Sequence, residues 1–228
     1  SLTTLTGVAY RRFVEGQWCA SDGLVYDNWD RLTHVAERDK QQQRYIVGMD
    51  AGYRNPAVLL LVGIDNDDRL HVEREWYKTQ QLEKDVVAKA LEWHERFQPD
   101  VFVVDPSALG LIESMRASGL HVEAAKNAVF DGIQAVQQQL RVEEGVGPLL
   151  TVDPRCENTI REFESYEWMK NQGGLADKPR KESDHAMDAL RYSTVHHRGL
   201  GNGVSLSVFD SQQGEFLREI DLCFGGDD

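Results

Sequence analysis

The sequence predicts an α/β fold, a mixed central sheet with helices flanking it. Three observations carry that prediction: three successive apolar runs joined by short polar turns, a following alternation of helix-periodic and short apolar segments, and aspartates closing two of the apolar runs.

Residues 1–44 read as an approach segment. Tyr10-Arg11-Arg12-Phe13-Val14-Glu15-Gly16-Gln17-Trp18 and Gly23-Leu24-Val25-Tyr26 are aromatic-rich with turn residues between them, so short strands packing onto a larger body are expected, with a polar link over residues 34–43. The core begins with the strand Tyr45-Ile46-Val47-Gly48-Met49-Asp50. A second apolar run spans residues 57–64 and ends in the turn Asp65-Asn66-Asp67-Asp68. A third strand over 70–78 carries Val72, Trp76 and Tyr77, completing an antiparallel meander. Residues 81–97 have helical periodicity in Leu82, Val86, Val87, Ala90, Leu91 and Trp93. Val101-Phe102-Val103-Val104-Asp105 is a wholly apolar strand of the parallel, two-side-buried kind. Pro106 then opens a helix over 107–118, stopped by Gly119. A strand over 121–125, a helix over 130–142, a strand over 149–152 and a helix over 154–169 follow. Residues 171–179 read as a loop or hairpin, and 182–196 as a final helix.

The 228 residues suffice for one compact domain, placed at 45–198, with a Gly-rich tail over 199–228. Charged residues make up 28% and no apolar stretch reaches bilayer length, so no membrane partner is expected. The start Ser1-Leu2-Thr3-Thr4 lacks a signal pattern, which points to an intracellular protein. Cys19, Cys156 and Cys223 are too far apart for paired zinc spacing and odd in number, so free thiols are expected. The net charge of −13 argues against a broad DNA-binding surface. The tail supplies −5 of it, and a carboxylate site that binds cations takes its local positive charge from the ions.

Asp50 closes the first core strand and Asp105 the fourth. Sites in open sheets with helical crossovers lie outside the carboxyl ends of strands, so both side chains share one rim if those strands are neighbours. Either aspartate alone could simply cap the following turn; their recurrence in this topology favours a site. The third element is Ser183-Asp184-His185-Ala186-Met187-Asp188-Ala189-Leu190-Arg191-Tyr192. On a helix Asp184, His185 and Asp188 can project to one side, although Asp184 also reads as an N-cap. Hard carboxylate oxygens suit magnesium or manganese. Two such ions about 3.5–4 Å apart can activate water and stabilise the leaving oxygen of a phosphodiester.

Together, Gly48-Met49-Asp50-Ala51-Gly52, Val103-Val104-Asp105 and the 184–192 helix motif resemble the nuclease domain of tailed-phage large terminase subunits. That domain has a ribonuclease H-like fold of the resolvase/integrase superfamily. The His-x-x-Asp step is also similar to Holliday-junction resolvases, and residues 10–18 resemble the segment joining a terminase ATPase to its nuclease. The resemblance spans residues 10–197, and the helix motif is its most specific part. It implies a metal-dependent endonuclease that cleaves double-stranded viral DNA concatemers during packaging, with little sequence specificity, in the cytoplasm of the infected host cell. Asp50, Asp105 and Asp188 would be the metal-binding catalytic carboxylates, with His185 or Asp184 as auxiliary ligand and two Mg2+ or Mn2+ ions as cofactors. Implied partners are double-stranded DNA, an ATPase domain, the portal and the small terminase subunit. The sequence holds no Gly-x-x-x-x-Gly-Lys-Ser/Thr loop, so the ATPase is expected to lie elsewhere in a longer protein.

Candidate DNA contacts are Lys170, Lys178, Arg180 and Lys181 around the Gly173-Gly174 loop, Arg54 with Asn55 after Asp50, and Lys126 with Asn127 after the fifth strand. Each alone reads more readily as a solvated charge; the 170–181 group is the candidate duplex clamp, through phosphate contacts. Three rivals share some of these features. A resolvase or transposase would use the same carboxylates but calls for a basic surface. An actin- or sugar-kinase-like ATP module would use Asp50-Ala51-Gly52 but needs a second glycine-rich loop. A non-catalytic motor docking module would leave the carboxylates without metal.

Overall fold

The computed structural model describes residues 23–37, 42–171 and 174–199, the side chains of 170–177 excepted. The expectations for residues 10–18 and for the tail beyond Gly199 therefore lie outside the described residues.

After the short helix α1 (Arg31–His34), the strands β1 (Arg44–Asp50), β2 (Ala57–Ile64) and β3 (Leu70–Lys78) form the antiparallel meander. Every residue of β2 is buried, as its unbroken apolar run requires of a strand covered on both faces. Asp65 ties the β2–β3 turn, accepting from the Asp67 and Arg69 amides and the Arg69 guanidinium. Helix α2 (Glu83–Phe97) crosses back so that β4 (Val101–Val104) lies parallel to β1. Helix α3 (Leu109–Ala117) then leads to β5 (Val122–Ala124), parallel to β4. Beyond α4 (Val129–Gln139) and a small hairpin of β6 (Val142–Glu143) and β7 (Gly147–Pro148), β8 (Leu150–Val152) pairs parallel to β3. The sheet order is β5-β4-β1-β2-β3-β8. Helix α5 (Glu157–Ser165), the hairpin β9 (Trp168–Asn171) and β10 (Gly174–Pro179), and helix α6 (His185–His197) complete the chain. No described helix is long and apolar enough to cross a membrane.

The sheet separates two apolar layers. On one face Val47, Met49, Leu59 and Phe102 pack with Val86 and Trp93 of α2 and Ile112 and Met115 of α3. On the other Ile46, Val58, Leu60 and Val103 meet Ile133 and Val136 of α4, Ile160 and Phe163 of α5, and Ala186, Ala189 and Leu190 of α6.

Four elements differ from the sequence expectation. The helix expected over 154–169 spans only Glu157–Ser165. The Val25 amide donates to Tyr166 O and the Trp168 amide to Gly23 O, so backbone pairing with the N-terminal segment pulls the chain out of the helix and into β9. The helix expected over 130–142 ends at Gln139, because Val142 pairs with Pro148 in the small hairpin. The final helix begins at His185 rather than residue 182. Within its described part the approach segment makes single bridges, Leu24 to Glu167 and Val35 to Val152, and a short helix instead of strands. It is still anchored in the core, since Val25 and Tyr26 are buried and Trp29 stacks on Phe163 at 4.1 Å.

Two devices set the position of α6. The first is a close approach: a Cβ on Gly48 of β1 would lie 2.0 Å from Ala189 O and 2.2 Å from Ser193 Oγ, so the helix rests directly on the strand backbone. The second is a relay of carboxylates at helix N-termini, where unpaired amides and the helix dipole favour negative charge. Glu75 of β3 accepts from the amides of Asn158 and Thr159 at the start of α5, at 2.9 and 2.8 Å. Glu162 of α5, itself fully buried, accepts from the amides of Ala186 and Met187 at the start of α6, at 2.7 and 3.2 Å, and from Tyr77 Oη at 2.8 Å. Burial pushes the Glu162 carboxyl above its usual range, while Tyr77 and the two amides pull it back.

Gly48→Ala should lower the unfolding free energy by about 1–3 kcal/mol, the usual cost of overpacking. By contrast Gly110→Ala in α3, where the nearest atom to the added Cβ is a flexible Glu83 carboxylate oxygen at 3.3 Å, should be neutral or stabilise by up to about 1 kcal/mol. Urea unfolding of both variants checks this, and equal midpoints would refute the close-approach argument. Glu162→Ala strands two buried amides and a tyrosine hydroxyl and should cost about 2 kcal/mol or more. Glu162→Gln keeps an acceptor oxygen and should cost less in the same titration.

Candidate active site

Strand register brings the first two carboxylates together. Ile46, Val47, Gly48 and Met49 pair in parallel with Val101, Phe102, Val103 and Val104, and the Asp105 amide continues the ladder to Met49 O at 3.0 Å. Asp50 and Asp105 are thus the next pair in register, at the carboxyl ends of neighbouring strands. Side chains alternate along a strand. Met49 and Val104 belong to the α2/α3 layer, so Asp50 and Asp105 fall on the face covered by α4, α5 and α6.

Helix α6 brings the third group. His185 Nδ1 lies 2.8 Å from Asp50 Oδ2, which ties the first turn of the helix to the end of β1. Asp188, one turn in, has its Oδ1 held by Arg191 Nη2 at 2.7 Å. Asp184 occupies the N-cap position and is buried, yet its side chain caps no amide; Glu162 supplies the cap instead. Asp105 also does what a turn-capping aspartate does, since its Oδ1 accepts from the Ser107 amide at 2.9 Å. Each of the three carboxylates therefore has one oxygen pinned by a protein donor. The other oxygen of each (Asp50 Oδ1, Asp105 Oδ2, Asp188 Oδ2) accepts no hydrogen bond among the described residues.

The electrostatics match a crowded acidic site. Burial pushes the Asp50 carboxyl up to about 6, with further upward push from the charges of Asp188 and Asp105 against the opposing pull of His185. Asp184 is raised by burial and by Asp188. His185 is raised above the usual imidazole range chiefly by its bond to Asp50. Tyr192, one turn beyond Asp188, is raised by burial and feels the charges of Asp188, Asp105 and Asp50.

The unpinned oxygens are hard donors of the kind magnesium and manganese take, so the donor chemistry fits such an ion. Among the described residues no three acidic, histidine or cysteine side chains stand close enough to hold an ion, so cation binding would draw the carboxylates closer while His185 and Arg191 keep hold of one oxygen each of Asp50 and Asp188. Gly52 serves the turn after Asp50: a Cβ there would meet Pro56 O at 2.5 Å and Asn55 O at 2.6 Å.

The basic candidates surround this rim. Arg54, Asn55 and Lys126 are exposed on the loops following β1 and β5, whereas Asn127 accepts from Arg191 Nη2 at 3.2 Å. Lys178, Arg180 and Lys181 are exposed between the β9–β10 hairpin and α6. Lys181 acts electrostatically on Asp184, whereas Arg180 faces Glu167 and Glu182 at 4.0 and 3.9 Å. The Lys170 side chain lies outside the described residues. The sequence reading gave no role to Glu162, Arg191 or Tyr192. For Arg191 a signal existed in its three-residue spacing from Asp188, whereas Glu162 touches α6 from 24 positions away and left no local trace.

The chain resembles known proteins along most of its length. The chain is 24% identical over 197 residues to the large terminase subunit of Escherichia phage T5, covering 80% of this chain and 44% of the relative. It superimposes on the large terminase of a thermophilic bacteriophage with TM-score 0.74 and 29% identity, over 85% of this chain and 49% of that one. It thus spans about half the length of these relatives. The large terminase nuclease domain of bacteriophage SPP1, solved with bound Mn, shares the fold at TM-score 0.59 and 18% identity, over 75% of this chain and 97% of that one. The family model for the terminase RNase H-like domain matches residues 50–195, from the first carboxylate through nearly all of the helix that bears the third, and the chain belongs to that family.

Proposed function

We propose that this chain is the nuclease of a phage DNA-packaging motor, a metal-dependent endodeoxyribonuclease that cuts double-stranded concatemeric DNA by phosphodiester hydrolysis. The observation that carries the reading is the three-carboxylate rim: Asp50 and Asp105 in register at adjacent strand ends, Asp188 on the helix above them, each with one oxygen pinned and one left over. The family and the manganese-bound SPP1 nuclease support it.

Two divalent cations, Mg2+ or Mn2+, would supply the polarised water and the charge neutralisation that in-line displacement at phosphorus needs. The rest falls to the chain. Asp50, Asp105 and Asp188 would hold the cations, and His185 fixes the orientation of Asp50 through its Nδ1 contact. Asp184 stands behind Asp188 as a further anionic group. Arg54, Asn55, Lys126, Lys178, Arg180 and Lys181 meet the phosphate backbone from the surrounding loops, joined by Lys170. Phosphate contacts orient a duplex without reading it, in keeping with cutting of low sequence preference. An ATPase domain, the portal and the small terminase subunit complete the motor in the cytoplasm of the infected host.

Supercoiled plasmid should be nicked and linearised with Mg2+ or Mn2+ and left intact with chelator. Asp50→Ala, Asp105→Ala and Asp188→Ala should each lower the rate by about a thousandfold or more, since each removes an anchor for the charge-stabilising ions. Cleavage surviving in both Asp50→Ala and Asp188→Ala would place the chemistry elsewhere. Lys178→Ala and Lys181→Ala should weaken duplex binding about equally across sequences and reduce the slope of log affinity against log salt by about 1 each. An unchanged slope would remove these residues from the interface.

A further inference from the structure

The nuclease reading uses Asp188 but leaves unexplained the group that holds it. Arg191 is 1% exposed, and an arginine is buried this deeply only when its charge is paired. Its Nη2 donates to Asp188 Oδ1 at 2.7 Å and to Asn127 Oδ1 at 3.2 Å, and among the described residues Asp188 is the one carboxylate it bonds. Its aliphatic stem occupies space that Gly132 of α4 keeps open, where a Cβ would meet Arg191 Cγ at 2.3 Å and Cδ at 2.4 Å. Its guanidinium carbon lies 5.0 Å from the centre of the Tyr192 ring. The loop before α4, α4 itself and α6 thus all converge on one guanidinium.

An arginine kept for packing alone would be expected to satisfy its donors, yet the buried Nη1 has no partner. The strong bond goes instead to a carboxylate that stands near two other acids. Asp188 acts electrostatically on both Asp50 and Asp184, so an unheld Asp188 side chain would relieve that repulsion by rotating away. We infer that Arg191 is a positioning residue for the metal site: by gripping Oδ1 it fixes the Asp188 side chain and leaves Oδ2 to serve a divalent cation. The inference rests on the nuclease reading and adds a residue to it. One fixed positive charge beside Asp50, Asp105, Asp184 and Asp188 leaves the rim net negative, so the arginine does not bar cation binding.

Calorimetric titration of Mn2+ into the metal-free protein reads this directly, and plasmid cleavage separates kcat from KM. Arg191→Lys keeps the charge and loses the planar fork, and Arg191→Met loses both. Both should bind Mn2+ about 10–100-fold more weakly, the usual effect of losing a partner that orients a metal ligand, with Lys the milder. Both should lower kcat while leaving KM for DNA unchanged. In an Asp188→Asn background, adding Arg191→Lys should weaken Mn2+ binding no further, because the pair acts as one unit. Additive losses, or equal or tighter Mn2+ binding by folded Arg191→Lys protein, would overturn the inference. Asn127→Ala leaves the arginine in place and removes the second acceptor of Nη2; it carries the test if the Arg191 variants do not fold, with a smaller loss expected in the same direction and none overturning the inference. A wild type that binds Mn2+ and cuts DNA, matched by its Arg191 variants, removes this inference alone. A wild type that does neither removes the nuclease reading and this inference with it.

Discussion

The contact between α6 and the backbone of β1 at Gly48 is the constraint on which the site depends. A helix normally packs on a sheet through a layer of side chains about 10 Å thick. Here one side chain is missing from that layer, and Ala189 O and Ser193 Oγ occupy the place a Cβ would take. Because side chains alternate along the strand, Gly48 and Asp50 share a face, so the residue that admits the helix is the near neighbour of the one the helix must reach. From that seat His185 bonds Asp50, and Asp188 comes within electrostatic range of it. The same device recurs at Gly132, which makes room for the stem of Arg191.

Close packing fixes where α6 lies, and carboxylates from other elements fix where it and α5 start. Glu75 holds the N-terminus of α5, and Glu162, on that helix, holds the N-terminus of α6. Each replaces the local side-chain cap that its helix lacks. Charge-assisted bonds to amides in a low-dielectric interior outweigh their surface counterparts. The exposed pairs Arg31–Glu164, Lys89–Glu92 and Arg116–Glu113 join long side chains in water and contribute little to the architecture. The ends of the two helices thus depend on acids delivered by the preceding elements, and the path from β3 through α5 to α6 is continuous.

Where a feature was written in neighbouring residues, the sequence displayed it. The apolar runs of β1, β2 and β4 predicted buried strands, and strands ending in Asp50 and Asp105 predicted a shared rim once parallel pairing made them neighbours. Helical spacing put His185 and Asp188 on one side, and the fold then sets His185 against Asp50. Features that depend on distant partners were not legible. Trp168 and Met169 continue a helical pattern, and only backbone pairing with residues 23–25 and with β10 turns them into a strand. Asp184 satisfies every local rule for an N-cap, and only the arrival of Glu162 relieves it of that task. Arg191 stands in the helix motif for any reader to see, but its burial is set by Gly132 on another helix.

These distant contacts also bear on the tension between an acidic chain and the phosphodiester site proposed for it. A net charge of −13 opposes nucleic acid as long as it is spread over the surface. At the rim the same sign is concentrated: Asp188 acts on both Asp50 and Asp184, and burial first, then the charges of Asp188 and Asp105, push the Asp50 carboxyl up to about 6. Such a cluster stores unfavourable energy that any bound cation relieves, and the pinned oxygens limit how far the side chains can scatter to relieve it themselves. His185 and Arg191 therefore act in opposition to repulsion. They hold two acids in place at a cost in stability that the packed helix, its non-local cap and the buried sheet offset. A site of this kind belongs on closely packed elements, and β1, β4 and α6 are buried along most of their length.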